Sequence, residues 1–365
     1  MADKIKRYID CIIPTETCNL RCHYCYIAQK RKFNSKLASF SKSKEFIRKA
    51  LSKERLGGPC LLNLCAGGET LLSDEVLPIV RELLEEGHYV MIVTNGTPTK
   101  RFKEIALWPK DLLQRLVFKF SFHYLELLRL NLLNKFFTNV QLMKSCGASF
   151  TVEITPSDEL IEHIEDIKRI CMENLGALCH VTIARDDRTD NIDILSQYSF
   201  EENKQVWGQF ESDLYEFKSS IFYQKRREFC YAGEWSAYLN LETGNMHQCY
   251  CGAYLCNIYE DLDKPIYFRA IGCSCTLPHC YNGHAFLALG DIPALDTPTY
   301  ATLRDRTCAD GSHWLQPAMA SFMSSKLSES NDEYSVLLKS KMTAYHKYRK
   351  LYTALAKIKA GLTGK

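Results

Sequence analysis

Residues 60–96 read CLLNLCAGGETLLSDEVLPIVRELLEEGHYVMIVTNG. A short apolar run ends in Gly67-Gly68-Glu69, a periodic stretch runs from Ser73 to Gly87, and a second apolar run ends in Thr94-Asn95-Gly96. Apolar runs of this length, bounded by Gly and Asn, are strand signals. The middle stretch opens on Ser73 followed by Asp74 and Glu75, an N-cap with acids in the first turn. It closes on Gly87, the residue that best ends a helix. Strand, glycine turn, helix, strand is the unit of a parallel sheet covered by helices.

The same alternation continues on both sides. Strands are expected at 8–14, 60–65, 89–94, 117–122, 149–154 and 179–184, and helices at 43–54, 73–87, 132–146 and 158–175. A closed barrel needs eight such units, so these six predict an α/β fold built as an open, partial (β/α)6 barrel over residues 1–200. Side chains alternate across each strand. Phe118, Phe120 and Phe122 oppose Lys119, Ser121 and His123. Phe150, Val152 and Ile154 oppose Thr151, Glu153 and Thr155, while Val181 and Ile183 oppose His180 and Thr182. The apolar sets are expected under the outer helices and the polar sets toward the barrel interior.

The chain has 365 residues, with 46% apolar and 24% charged, ordinary values for a globular protein large enough to bury a core. A net charge of +3 makes no case for nucleic acid. No apolar run is long enough to span a membrane, and the N-terminal one is too short for a signal peptide. The 17 cysteines are an odd number in a large chain, a setting in which thiols bind metal or do chemistry more often than they pair. A reducing cytoplasm is the expected location.

Cys18-Asn-Leu-Arg-Cys22-His-Tyr-Cys25 follows the first strand directly. Three thiolates on one short loop can hold three corners of an iron-sulfur cluster and leave the fourth iron open. Zinc is the alternative, although it prefers paired hooks from two places. Polar Asn, Arg and His between the cysteines speak against a buried core segment. Gly67 and Gly68 would let backbone approach a ligand closely, and Glu69 could meet an ammonium group.

Taken together, Cys18, Cys22 and Cys25 with Tyr24 before the last cysteine, then Gly67-Gly68-Glu69, then Thr94-Asn95-Gly96, resemble the radical S-adenosylmethionine (SAM) superfamily over roughly residues 8–190. Thr70 stands where many members carry Pro. The resemblance implies a [4Fe–4S] cluster on Cys18, Cys22 and Cys25 whose open iron chelates SAM. It implies Tyr24, Gly67, Gly68, Glu69, Asn95 and Ser121 around SAM, with Glu153 and His123 as catalytic candidates. The implied chemistry is reductive cleavage of SAM to a 5′-deoxyadenosyl radical that abstracts hydrogen from a substrate. An electron donor such as flavodoxin or ferredoxin would serve it.

The periodicity changes near residue 200. Residues 201–229 read as a helical connector, and 230–320 as a small cysteine-rich unit. Cys230, Gly244 and Cys249 are spaced like the opening of the SPASM or twitch extension of that superfamily, in which a hairpin turning at the glycine brings two cysteines to an auxiliary iron-sulfur cluster. The expected ligands are Cys230, Cys249, Cys273, Cys275 and Cys280. His284 stands where that pattern has a cysteine, and Cys308 could serve a second cluster. A zinc knuckle of Cys273, Cys275, Cys280 and His284 is the competing reading. Residues 325–334 read as a linker, and 335–365 as an amphipathic helix with eight basic residues and no acid. Docking on protein is favoured over contact with an acidic membrane face.

The expected function is radical SAM catalysis on a peptide or protein, or on a sugar or other small molecule. A cluster motif beginning at residue 18 argues against a leader-binding segment ahead of it. The alternative from another class is a non-catalytic binding module stabilised by zinc or a cluster. Such a module needs no turn like Gly67–Glu69.

Overall fold

Six strands form where the short apolar runs stand: β1 (Arg7–Ile13), β2 (Cys60–Ala66), β3 (Tyr89–Thr94), β4 (Leu116–Ser121), β5 (Ser149–Ile154) and β6 (His180–Val181). The computed structural model describes residues 3–273 and 275–362, without the side chains of 283, 284, 346, 349, 350, 353, 357 and 359–362. His284 therefore lies outside the described side chains. Each strand pairs in parallel with the next, and the sheet does not close. β7 (Ser236–Asn240) adds in parallel to the other edge of β1, and β8 (Asn245–His247) and β9 (Tyr254–Asn257) continue antiparallel. Among the described residues the order is β6-β5-β4-β3-β2-β1-β7-β8-β9. Residues 230–320, expected as a small extension, thus enter the barrel sheet through β7.

Local chemistry sets the helix ends. The helix expected over 43–54 is two, Lys44–Ala50 and Lys53–Leu56, each with its own serine cap, Ser43 on Phe46 N–H and Ser52 on Arg55 N–H. The helix expected from Ser73 begins later, at Val76. Ser73 instead turns the chain ahead of it, its oxygen accepting from Glu75 N–H (3.3 Å) while its hydroxyl donates to Ala38 O (2.7 Å). Its far end is as read: Gly87 (φ +95°) donates to Leu84 O and His88 N–H reaches Leu83 O, closing the last turn. The connector over 201–229 is helical only at Phe200–Gly208 and Asp213–Ile221. The chain breaks between them at Glu211 (φ +49°), and Ser212 caps the second helix.

The sheet has two apolar faces. Phe118, Phe120, Phe122, Phe150, Val152, Ile154 and Val181 lie against the outer helices with Val80, Phe102, Phe136 and Ile167, as their alternation predicts. On the concave face, Tyr8, Leu61, Tyr89, Met91 and Val117 are covered by late chain: Phe286, Tyr300, Met319 and Phe322. Tyr89 and Phe322 stack with centroids 3.7 Å apart. This plug fills the concave face at the level of the strand starts and leaves the polar level above it, toward the strand ends, to the site.

Residues 325–334 do not form a loose linker. Leu327 N–H bonds Leu289 O (2.7 Å), Lys326 Nζ bonds three backbone carbonyls, and Asn331 Nδ2 donates to Lys6 O (2.9 Å). The helix Val336–Leu362 follows, rooted by Lys339 on Glu333 (2.8 Å), with Leu337, Tyr348, Leu351, Tyr352, Leu355 and Ile358 exposed. No helix among the described residues is long and apolar enough to cross a membrane.

Candidate functional site

The loop leaving β1 carries Cys18, Cys22 and Cys25 over the strand ends. Cys25 N–H bonds Cys22 O (3.2 Å), and Cys25 precedes the short helix Tyr26–Gln29. Cys22 is buried, while Cys18 and Cys25 are partly exposed. Burial pushes all three thiols up, and each lies within electrostatic reach of at least one of the others. N–H donors oppose that push. Leu20 N–H reaches Cys18 Sγ (3.4 Å), Asn95 Nδ2 lies 3.8 Å from it, and the Ile27 and Ala28 amides bond Cys25. Donors aimed at sulfur in a poorly hydrated loop suit thiolates that hold iron. These residues fit an iron-sulfur group. No cluster of three or more metal-binding side chains is closed around a single ion position among the described residues.

The glycines serve the loop itself. Gly68 N–H bonds Thr15 O (2.7 Å) and Glu69 N–H bonds Thr17 O (2.9 Å), so the turn after β2 pairs with the chain leading into Cys18. A Cβ on Gly68 would lie 1.9 Å from Thr17 O, and one on Gly67 would lie 2.8 Å from Thr15 O. The expectation was close approach to a ligand; the close approach found is to the cysteine loop. Thr70 accepts a hydrogen bond from Ala66 N–H on its hydroxyl (3.1 Å).

Glu69 is fully enclosed. One oxygen accepts from Thr94 Oγ1 (2.6 Å) and Leu71 N–H (3.0 Å), the other from Asn95 N–H (2.6 Å). Burial raises its pKa, and those three donors resist the rise. A carboxylate offers about four acceptor positions, so one remains for an ammonium group. Asn95 completes the lock: its Nδ2 also donates to Asn19 Oδ1 (2.8 Å), and Asn19 Nδ2 donates to Thr97 Oγ1 (2.7 Å). Three loops, after β1, β2 and β3, are thereby tied at one point.

The other candidates divide. Tyr24 OH and His123 Nδ1 are 2.7 Å apart, and burial lowers His123 to about 4, so a neutral imidazole braces the cysteine loop. Ser121 ends β4, partly exposed, opposite Glu153 in the register. Glu153 is held as a counter-ion: Arg304 Nη1 sits 2.6 Å from one oxygen and Lys119 Nζ 3.2 Å from the other. That placement spends the carboxylate on two cations.

A second thiol group lies beyond β7. The β7–β8 hairpin turns at Gly244 (φ +76°), and Cys230 pairs with Gly272 in a bridge that brings residues 275–280 close. Cys251 is hydrogen-bonded to both Cys249 and Cys275. Cys280 lies within electrostatic reach of Cys275 and Cys251, and Cys230 of Cys280 and Cys275. The bond to Cys249 raises Cys251 to about 11, and burial raises Cys280 to about 12. Cys230, Cys249, Cys275 and Cys280 are thus brought together, whereas Cys273 is exposed. Cys251 joins the expected ligands, and its C-x-C spacing with Cys249 repeats that of Cys273 and Cys275. Cys308 is elsewhere, packed on Gly176 with its thiol on Leu175 O (3.3 Å). Tyr250 links the two regions, its hydroxyl donating to Asp10 Oδ2 on β1 (2.9 Å).

The fold is similar to that of Streptococcus suis SuiB bound to S-adenosylmethionine: TM-score 0.50 at 14% identity, covering 72% of this chain and 67% of that one. SuiB bound to precursor peptide SuiA matches equally, at TM-score 0.50 and 14% identity, over 71% and 64%. Native anSMEcpe with bound AdoMet and Cp18Cys peptide aligns over 96% of this chain and 99% of its own, at TM-score 0.46 and 12% identity. No curated protein matches in sequence. Residues 12–167, which hold the three cysteines, the Gly67–Glu69 turn and Asn95, match the Radical SAM superfamily.

Proposed function

We propose that this chain is a radical SAM enzyme. What carries the reading is the lock of three loops at the strand ends, in which Glu69 and Asn95 hold the Cys18–Cys25 loop through buried hydrogen bonds. When bound, SAM and a [4Fe–4S] cluster on Cys18, Cys22 and Cys25 would supply a hydrogen-abstracting 5′-deoxyadenosyl radical. The chain's own residues fix the loop, shield it from water and present donors to its sulfurs. The remaining acceptor position on Glu69 suits the SAM ammonium, and Ser121 at the end of β4 suits its nucleoside part.

For the second thiol group, an auxiliary iron-sulfur cluster on Cys230, Cys249, Cys251, Cys275 and Cys280 is the reading that their mutual approach supports. SuiB in complex with its precursor peptide SuiA supports a peptide as the substrate class to try first. The test is anaerobic reconstitution followed by iron and sulfide analysis and a reductant-driven assay for 5′-deoxyadenosine. Iron and sulfide in amounts matching two clusters, with 5′-deoxyadenosine formed, is the expected result. Zinc in place of iron, with SAM untouched, would favour the binding module instead.

A further inference from the structure

Around Glu153 the cations outnumber the carboxylates that reach them. Lys119 comes from β4, Lys218 from the helix Asp213–Ile221, Arg185 from the chain after β6 and Arg304 from the plug. The charged groups acting most strongly on Lys218 are one carboxylate, Glu153, and three cations, Arg185, Lys119 and Arg304. That carboxylate is already shared between Arg304 (2.6 Å) and Lys119 (3.2 Å). Asp10, also within reach of Lys119, has its oxygens occupied by Tyr8 (2.6 Å), Asn63 (2.6 Å) and Tyr250 (2.9 Å). Among the described residues Lys218 and Arg185 have no carboxylate at ion-pair distance. Lys218 bonds the Thr182 hydroxyl, and the Arg185 guanidinium lies 4.7 Å from the centre of the Tyr281 ring.

We propose that Lys218, with Lys119, Arg185 and the Thr182 hydroxyl, forms an anion subsite that seats a carboxylate or phosphate group of the substrate. This rests on the chain being a radical SAM enzyme whose substrate is held near the strand ends. Enclosed cations with too few counter-charges attract an anion strongly, because little water screens them. Burial first, and then the neighbouring cations, bring Lys218 down to about 7, and a bound anion would reverse that.

The test uses the full chain, reconstituted anaerobically, with a small neutral amine-labelling reagent near pH 7 and peptide mapping. The probes are acetate and inorganic phosphate against chloride of equal ionic strength, with and without SAM. With SAM bound, phosphate or acetate at about ten times its Kd should slow labelling of Lys218 about tenfold. Exposed Lys32 should be unaffected, and protection should be lost in Lys119→Met and Arg185→Met. Protection by SAM alone, with the probe adding nothing, would assign the subsite to the SAM carboxylate and overturn the substrate assignment. Absence of protection, or of any labelling of Lys218, would overturn it as well. In parallel, 5′-deoxyadenosine formation by the same preparation reports on the radical SAM reading. Its failure with protection intact would sink that reading while leaving the anion subsite.

Discussion

The two thiol groups are assembled in opposite ways. Cys18, Cys22 and Cys25 sit on one loop and need the rest of the fold only to clamp it, through Thr15, Thr17, Glu69 and Asn95. Cys230, Cys249, Cys251, Cys275 and Cys280 are drawn from five points along some fifty residues by a hairpin and a bridge. A site carried by one loop declares itself in spacing. A site gathered by pairing declares only that cysteines are abundant.

The largest expected effect separates the two groups outright. Replacing Cys18, Cys22 and Cys25 with Ala should abolish reductive SAM cleavage while the second group keeps its metal. An assay of 5′-deoxyadenosine alongside iron per chain reads both. Loss of all iron would mean that the two groups assemble as one unit, and the contrast would fail.

Next comes the composition of the gathered group. Cys251→Ala should remove most auxiliary iron, since Cys251 bonds both Cys249 and Cys275, whereas Cys273→Ala should leave it nearly unchanged. Metal bound there would also contribute folding energy, so a lower thermal midpoint should accompany only the first variant. Iron analysis showing the reverse order would return Cys273 to the ligand set.

A smaller effect probes the clamp. Gly68→Ala puts a Cβ against Thr17 O and should cost on the order of 1–3 kcal/mol or more, because backbone yields less than side chain. Denaturant titration of the reconstituted protein measures the loss. A neutral result would show that the loop can retreat from the turn.

The smallest concerns Glu69→Gln. The amide would present N–H to donors that now meet a carboxylate, costing about 1–3 kcal/mol in stability through one unsatisfied buried group. If the remaining lone pair also meets SAM, its affinity should fall about tenfold to a hundredfold, at 1.4 kcal/mol per decade. A SAM titration followed by cluster spectroscopy distinguishes the roles. Unchanged affinity with lowered stability would make Glu69 a clamp and nothing more.

Much of the barrel was legible because its signals are local. Apolar runs bounded by glycine located the six strands, and the alternation of Phe118, Lys119, Phe120 and Ser121 told the covered face from the lining. What escaped depends on distant partners. Glu153 reads as a free interior acid until Arg304, far along the chain, is found against it. Lys218 sits in a segment read only as a connector, and nothing in its neighbours points to Thr182. Ser73 looked like a helix cap because the carbonyl it donates to, that of Ala38, comes from another loop.

The plug of Phe286, Tyr300, Met319 and Phe322 has a consequence for biosynthesis. Strands β1–β6 leave the ribosome by about residue 181, yet the residues that cover their concave face end near 322. At 5–20 residues per second that interval is on the order of ten seconds. Throughout it the nascent barrel presents Tyr8, Leu61, Tyr89, Met91 and Val117 to water. The half that resembles a self-sufficient barrel is thus the half that must wait, and a chaperone has its longest opportunity before the last quarter of the chain has been made.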